Sequence, residues 1–431
     1  MDKMHFKYQI DQRLPWNENL LYGLQWLMIS VPLIIILGQV GGTLHYPGQP
    51  QLQLFYLQKV FLVTGATLLL QLLWGHKLPV VVGPAAVLLI GIISNSAGAD
   101  KTDAIYSTIA LCGLLLAVLS ACGVMSRLTA LFTPLITGVV LLLIAFTMLP
   151  TVLHFITAGP DFTFAHGMFA VCLIFVMLAA QRVLPELLRS TIIIWALLTG
   201  SIAYYLLFKP ALPEAATPVS ILSAWQSVSL SLTIDWAVLI SFLFCFIALT
   251  ANDLGSTQTI AGLLNAENPE KRTRRGLIFT GLGNILSGVF GVLGPVNYSL
   301  SSGVILSSGC ASRHPLIPAA AAMVALACIP AVIQAFAYIP PIVVGALLFY
   351  MLCSQISGGL AVLGAYLVPF RYEAGIVIGM PVLLGTCIAF LPAQVAETIP
   401  LLWCPLFTNG FAVGVTAAIV LEKLLMPKKG T

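Results

Sequence analysis

The chain has 431 residues, is 59% hydrophobic and only 8% charged, and carries a formal net charge of +4. So little charge, with a mean hydropathy of +1.02, excludes a soluble globular protein and places the chain among polytopic membrane proteins. Long apolar runs without alternation, such as Leu131–Leu149 and Trp236–Thr250, exclude a transmembrane β-barrel as well.

In chain order, a mostly polar start carrying Lys3, Lys7 and Arg13 precedes the first apolar run, so no cleavable signal peptide is expected. Fourteen spans are then expected, near residues 20–39, 54–74, 78–94, 104–123, 128–149, 163–181, 190–208, 236–264, 276–294, 296–312, 315–336, 340–362, 374–391 and 398–421. The third and tenth are short and interrupted by glycine and proline, and are expected as broken rather than continuous helices. With the N-terminus on the cytoplasmic side, all of the 19 Lys and Arg fall on that side except Lys59, Lys101 and Lys209. The positive-inside rule thus favours cytoplasmic N- and C-termini and an even number of spans. The basic run "NPEKRTRR" (Asn268–Arg275) reads as a cytoplasmic loop anchor and not as a nucleic-acid contact.

The halves of the chain echo one another. "VVVGPAA" (Val80–Ala86) resembles "GVLGPVN" (Gly291–Asn297), and "PLITG" (Pro134–Gly138) resembles "PIVVG" (Pro341–Gly345), in the same order and at near-equal spacing. With seven spans per half, the second copy enters the membrane from the opposite side, an inverted repeat of the kind found in secondary transporters. The expected architecture is all-α and polytopic, in two sets of seven. A ligand is expected near the midplane, where the two broken spans expose backbone groups and half-helix N-termini.

Polar groups inside the spans narrow the site. Of the 15 Asp and Glu, Asp253 alone is placed deep in a span, within "TANDLGSTQT" (Thr250–Thr259). An ionisable group at that depth is costly and points to function; the bland alternative is an acid that binds the broken backbone of span ten. Asn252 and Ser256 share one helical face, about 100° from Asp253. Gln25 and Trp26 are the polar and aromatic features of span one, with interfacial anchoring as the plainer reading of Trp26. Tyr298 precedes "SLSSGVILSSGCASR" (Ser299–Arg313) and suits stacking on a planar ligand. In that stretch Ser299, Ser301, Ser302 and Gly303 are expected at the substrate-proximal end, with Ser307, Ser308 and Ser312 in helix packing. The histidines, His76 among them, are expected in the tail, in loops or at interfaces. The nine cysteines are scattered with no C-x-x-C, so no metal or other cofactor is expected. No H-E-x-x-H or intramembrane Ser–His arrangement points to an enzyme.

These segments resemble the nucleobase–ascorbate transporter family, or nucleobase:cation symporter-2, along nearly the whole chain, and within it a divergent bacterial purine and uracil–xanthine permease branch. The resemblance implies a core domain of spans 1–4 and 8–11 (residues 20–123 and 236–336) and a gate domain of spans 5–7 and 12–14 (124–208 and 337–422). These are flanked by tails at 1–19 and 423–431 and split by an outer loop at 209–235. It implies short strands in spans three and ten crossing at the substrate, which brings Ala85 and Ala86 to the site. It also implies a multi-pass protein of the bacterial cytoplasmic membrane, proton-coupled transport, and a homodimer through the gate domain. Aligned on Gly303, Leu300 stands where the family has a substrate-reading Glu or Gln, Ser301 stands at the signature's Asn, Ser302 at a free position, and Ser308 keeps a hydroxyl at the threonine position. Asn252 and Ser256 match a glutamate and a histidine of span eight, Trp26 a first-span histidine after Gln25, Tyr298 the stacking aromatic, and Ser299 a backbone contact. With that glutamate missing, Asp253 is the candidate coupling residue, for a proton or another cation. Two readings stay open: a nucleobase permease, and an anion carrier or channel of the sulfate or bicarbonate kind on the same fold.

Overall fold

A computed structural model describes residues 6–95, 101–124, 133–158, 162–185, 192–209, 233–298, 301–366, 371–396, 398–399, 407 and 409–425. The first half runs α1 (Trp16–His45), α2 (Pro50–Leu73), β1 (Val82–Pro84), α3 (Ala86–Asn95), α4 (Thr102–Ala121), α5 (Pro134–Thr147), α6 (Leu149–Ile156), α7 (Phe164–Val183) and α8 (Ile192–Phe208). The second runs α9 (Trp236–Leu263), α10 (Pro269–Phe290), β2 (Pro295–Asn297), α11 (Ser301–Ser308), α12 (Leu316–Ala327), α13 (Pro330–Ala335), α14 (Pro341–Tyr366), α15 (Tyr372–Ala389), α16 (Ala393–Ala396) and α17 (Gly410–Leu425). Among the described residues, 8 helical stretches are long and apolar enough to cross a membrane unaided.

The packing is pseudo-symmetric. α4 lies along α10 as α2 lies along α12; α1 meets α2 as α9 meets α10; α7 meets α8 as α15 meets α17. Each pairing maps onto its counterpart when the halves exchange, as an inverted repeat requires. α14 lies along α5 near the join, where a Cβ on Gly138 would come 3.2 Å from the Gly359 carbonyl. The α4–α10 crossing is closer still. A Cβ on Gly113 would lie 2.8 Å from Gly281 O and one on Gly281 2.6 Å from Gly113 O. Small residues let backbones approach where lipid offers no hydrophobic drive for association.

Both expected breaks are present. In spans three and ten the chain runs as a three-residue strand before a short helix. The strands pair antiparallel, Val82 with Asn297, Gly83 with Val296 and Pro84 with Pro295. The two Gly-Pro dipeptides thus meet, and Ala85 N–H adds a bond to Gly294 O (2.8 Å). Pairing each strand with the other satisfies backbone groups that lipid leaves bare.

Several expected boundaries move. α1 is 30 residues long, about 45 Å, so it outruns a bilayer core of about 30 Å. The basic run "NPEKRTRR", expected as a loop, forms the first turns of α10. Asn268 takes a left-handed turn (φ 51°) and Pro269 supplies the fixed φ suited to a helix start. Two side chains of that run, Arg272 and Arg274, find backbone carbonyls, which hydropathy cannot register. Span eleven is not continuous: α12 stops before Cys328, and Pro330, which lacks the N–H to continue a helix, opens α13. The last helix starts at Gly410, well after the expected residue 398; residues 400–406 lie outside the described ones. Lys59, assigned to the outer face, is buried within α2 and donates to Phe290 O at the end of α10 (3.1 Å).

Candidate functional site

The site is built where α9 runs past the strand pair. β2 follows the turn that ends α10, and its close approach to that helix demands glycine. A Cβ on Gly294 would sit 1.8 Å from Asn284 Oδ1. Asn284 Nδ2 in turn donates to Pro295 O (3.0 Å) and to Thr280 O (2.8 Å), tying the strand to α10.

Tyr298 closes the second strand over the first. Its N–H donates to Val81 O (2.9 Å) and its hydroxyl to Pro84 O (2.5 Å). A Cβ on Gly83 would lie 2.3 Å from Tyr298 Cε2, so the ring covers the β1 glycine. The buried Ser301 hydroxyl accepts from Val81 N (3.0 Å) and donates to Tyr298 O (2.9 Å). Both residues were expected to face substrate. The bonds seen here hold the strand pair together, which is a structural use of the same groups.

On α9, Asn252 is half-buried, while Asp253 and Ser256 are buried. Ser256 donates to the Asn252 carbonyl (2.8 Å), so its hydroxyl is spent within its own helix. A Cβ on Gly255 would meet nothing within 4 Å, so α9 has open space beside Asn252. Asp253 turns to the protein interior. It is 1% exposed, and its Oδ1 accepts from Asn297 Nδ2 (2.5 Å) and, at 3.4 Å, from the Thr257 hydroxyl. The acid therefore binds the side chain of the second strand, and Asn252 takes the more open face.

Asn297 leads to a residue that was expected to contribute little. His76 is fully buried, with Nε2 3.3 Å from Asn297 Oδ1 and Nδ1 accepting from Leu78 N–H (2.9 Å). Gln71, also buried, donates to Gly276 O (2.9 Å) and Thr280 Oγ1 (3.0 Å) and so ties the end of α2 to α10 beside it. Lys77 turns the loop through left-handed backbone (φ 55°), and Arg272 Nη1 donates to its carbonyl (2.9 Å). A buried polar residue at the end of the "GVLGPVN" echo was the available sign for Asn297. Nothing in the sequence marked its partner.

On the tail side of this loop the chain's start is strapped down. Lys7 N donates to Gly309 O, Ala311 N to Tyr8 O and Arg313 N to Ile10 O, at 2.9, 3.1 and 3.0 Å. Asp11 bridges Arg313 (2.7 Å) and Arg272 (3.5 Å). Partial burial works to raise the Asp11 carboxyl, but the Arg313 and Arg272 guanidiniums outweigh it and hold it below the ordinary range. Ser312, expected in helix packing, lies beyond α11 and donates to Gln12 O (2.7 Å).

Of the remaining candidates, Trp26 is 2% exposed inside the main apolar core, and Gln25 is buried beside it in sequence. Ala85 is buried and Ala86 opens α3. Ser302 and Gly303 fall within α11. Ser299 and Leu300 lie outside the described residues.

Two broken spans crossing as paired strands, inside pseudo-symmetric helical halves, define a multi-pass membrane protein with the fold of inverted-repeat transporters. The Permease family model Xan_ur_permease matches residues 17–394, and the chain belongs to that family. It is a permease and not an enzyme. Among curated relatives it is 24% identical to xanthine permease XanP of Escherichia coli strain K12, over 80% of this chain and 76% of XanP. It is 26% identical to nucleobase transporter PlUacP of Paenibacillus larvae, over 92% of this chain and 90% of that one. The first matches span 65% to 94% of the relatives' own lengths. Among solved structures, the transmembrane domain of the cyanobacterial bicarbonate transporter BicA aligns with a TM-score of 0.60 at 16% identity, covering 88% of this chain and 98% of that domain. That likeness speaks for the seven-plus-seven inverted-repeat fold alone.

Proposed function

We propose that this permease carries nucleobases, of the xanthine, purine or uracil class, and couples their movement to protons through Asp253. The observation that carries the reading is family membership across most of the chain, with relatives named for xanthine and nucleobase transport. The site is chemically suited to it. The half-buried Asn252 amide offers a donor and an acceptor side by side, the pairing a nucleobase edge presents. Asp253 is the one buried Asp or Glu among the described residues, and an acid at that depth changes charge at a cost the protein can use.

The packing supports a reading of alternating access. Spans 1–4 and 8–11 pack mainly on one another, as do spans 5–7 and 12–14, which suits the first set to act as a core moving against the second as gate. The protein sits in the bacterial cytoplasmic membrane with both termini in the cytoplasm, as its basic residues are distributed. An anion carrier is the reading the fold alone admits. Against it, α3, α9 and α11 carry no Lys or Arg to attract an anion, and Asp253 opposes one.

Uptake of labelled xanthine, hypoxanthine, uracil and sulfate into proteoliposomes, with and without an inward proton gradient, tests the assignment. Saturable nucleobase uptake that the gradient drives uphill is expected. Saturable sulfate uptake with no nucleobase uptake would overturn it.

A further inference from the structure

Asp253 reaches its partner through a chain of hydrogen bonds whose direction is fixed from one end. Leu78 N–H points at His76 Nδ1 (2.9 Å). A backbone amide only donates, so Nδ1 is the bare nitrogen of a neutral ring and Nε2 carries the proton. Nε2–H then faces Asn297 across 3.3 Å and requires the amide oxygen there. The other end of the same amide, its NH2, is therefore turned to Asp253 Oδ1 at 2.5 Å. A flipped Asn297 would set N–H against NH2 on one side and oxygen against carboxylate on the other.

We propose that His76 is a positioning residue for Asp253: by locking the Asn297 amide it presents a fixed donor to the carboxylate and so sets the pH at which Asp253 takes up its proton. This rests on the reading of Asp253 as the coupling residue. A free asparagine serves both forms of an acid, donating to the carboxylate and, after a flip, accepting from the protonated group. A locked one serves the ionised form only. The incoming proton must go to Oδ2 or break the bond to Asn297. In the second case it loosens α9 from β2, the strand that carries the second break.

Burial above all keeps the ring neutral, and the surrounding charges add to it. Arg272 from α10 donates to His76 O (3.3 Å) and Lys77 O (2.9 Å), and Arg313, just after α11, donates to Leu72 O. Two guanidiniums near the ring oppose a second proton on it, and Asp11 pairs with both from the tail side. Lys77 is the next residue in the loop, and the neighbours on α2 and α10, Gln71 and Thr280, are neutral. Asp253 is the facing acid, from α9.

Infrared titration of the full chain in lipid nanodiscs tests this, with the protonated-carboxyl band assigned by its loss in Asp253→Asn. In His76→Phe the band's half-maximal pH is expected about one pH unit above wild type, a roughly tenfold gain in proton affinity. Asn297→Leu should move it the same way. An unchanged half-maximal pH in either folded variant overturns the proposal. Should neither variant fold, nitrogen-15 spectra of histidine-labelled wild type decide. A neutral His76 protonated at Nε2 is expected, and an Nδ1-protonated or charged ring at neutral pH overturns the proposal. None of these readouts needs a substrate, so a failed nucleobase assay would remove the transport reading while leaving the role of His76 to be judged separately.

Discussion

The two broken spans pair as equals in the backbone and differ in their side chains. β1 and the start of α3 read Val82-Gly83-Pro84-Ala85-Ala86 and offer no polar side chain. They supply a carbonyl for the Tyr298 hydroxyl, a bare Gly83 for its ring, and a backbone N–H for Gly294. β2 and the residues after it carry Asn297, Tyr298 and Ser301, which reach α9, β1 and the loop before β1. The pairing is symmetric and the side-chain chemistry is not. One break supplies backbone and the other side chains, with His76 contributed by the loop that leads into the first.

Substitutions that strike one copy and spare the other sharpen that contrast. The largest effect is expected at Gly294, where an added methyl meets Asn284 Oδ1 at 1.8 Å and Leu88 Cδ1 at 2.7 Å. Gly294→Ala should cost about 3 kcal/mol or more through overpacking and lost Asn284 bonds, seen as a collapse in the yield of monodisperse protein. A wild-type yield would show that β2 is not clamped to α10. Next comes Ser301→Ala, which leaves the buried Val81 N–H without its acceptor. About 1–3 kcal/mol is expected, read as a lower thermal midpoint in detergent. No change would mean that Ser301 is free to serve a ligand.

The smallest effect is expected at the strap. The Asp11 carboxyl is held below its unfolded value, so its contribution is complete above the ordinary carboxylate pKa of about 3.9 and is lost as pH falls through the lower folded value. Asp11→Asn should weaken the tail by at most about 1 kcal/mol at neutral pH. Faster amide exchange at Lys7, Ala311 and Arg313, the donors of the strap, would register it, and acid below about pH 4 should mimic it in the wild type. Exchange that ignores both changes would exclude the ion pairs as what holds the tail.

Much of this was legible in the sequence because hydropathy, charge and two Gly-Pro dipeptides report on long-range order here. The echo around Pro84 and Pro295 anticipated two breaks, the family resemblance anticipated that strands cross there, and the charge-free run before Asp253 anticipated an acid deep in a span. What stayed hidden was orientation. Asp253 and Asn252 are neighbours about 100° apart on one helix, and only packing decides that the acid turns inward. His76 lies between Gly75 and Lys77, a context that reads as a loop, and its partner Asn297 is 221 residues away. The basic start of α10 was misplaced for a related reason, since Arg272 and Arg274 are satisfied by carbonyls of other segments.

If Asp253 carries the coupled proton, substrate added on one side must draw protons across with it. With a pH-sensitive dye trapped in proteoliposomes, adding xanthine or uracil outside should acidify the lumen with wild-type protein and leave it unchanged with Asp253→Asn. Acidification of equal rate and extent in Asp253→Asn would remove Asp253 as the coupling residue.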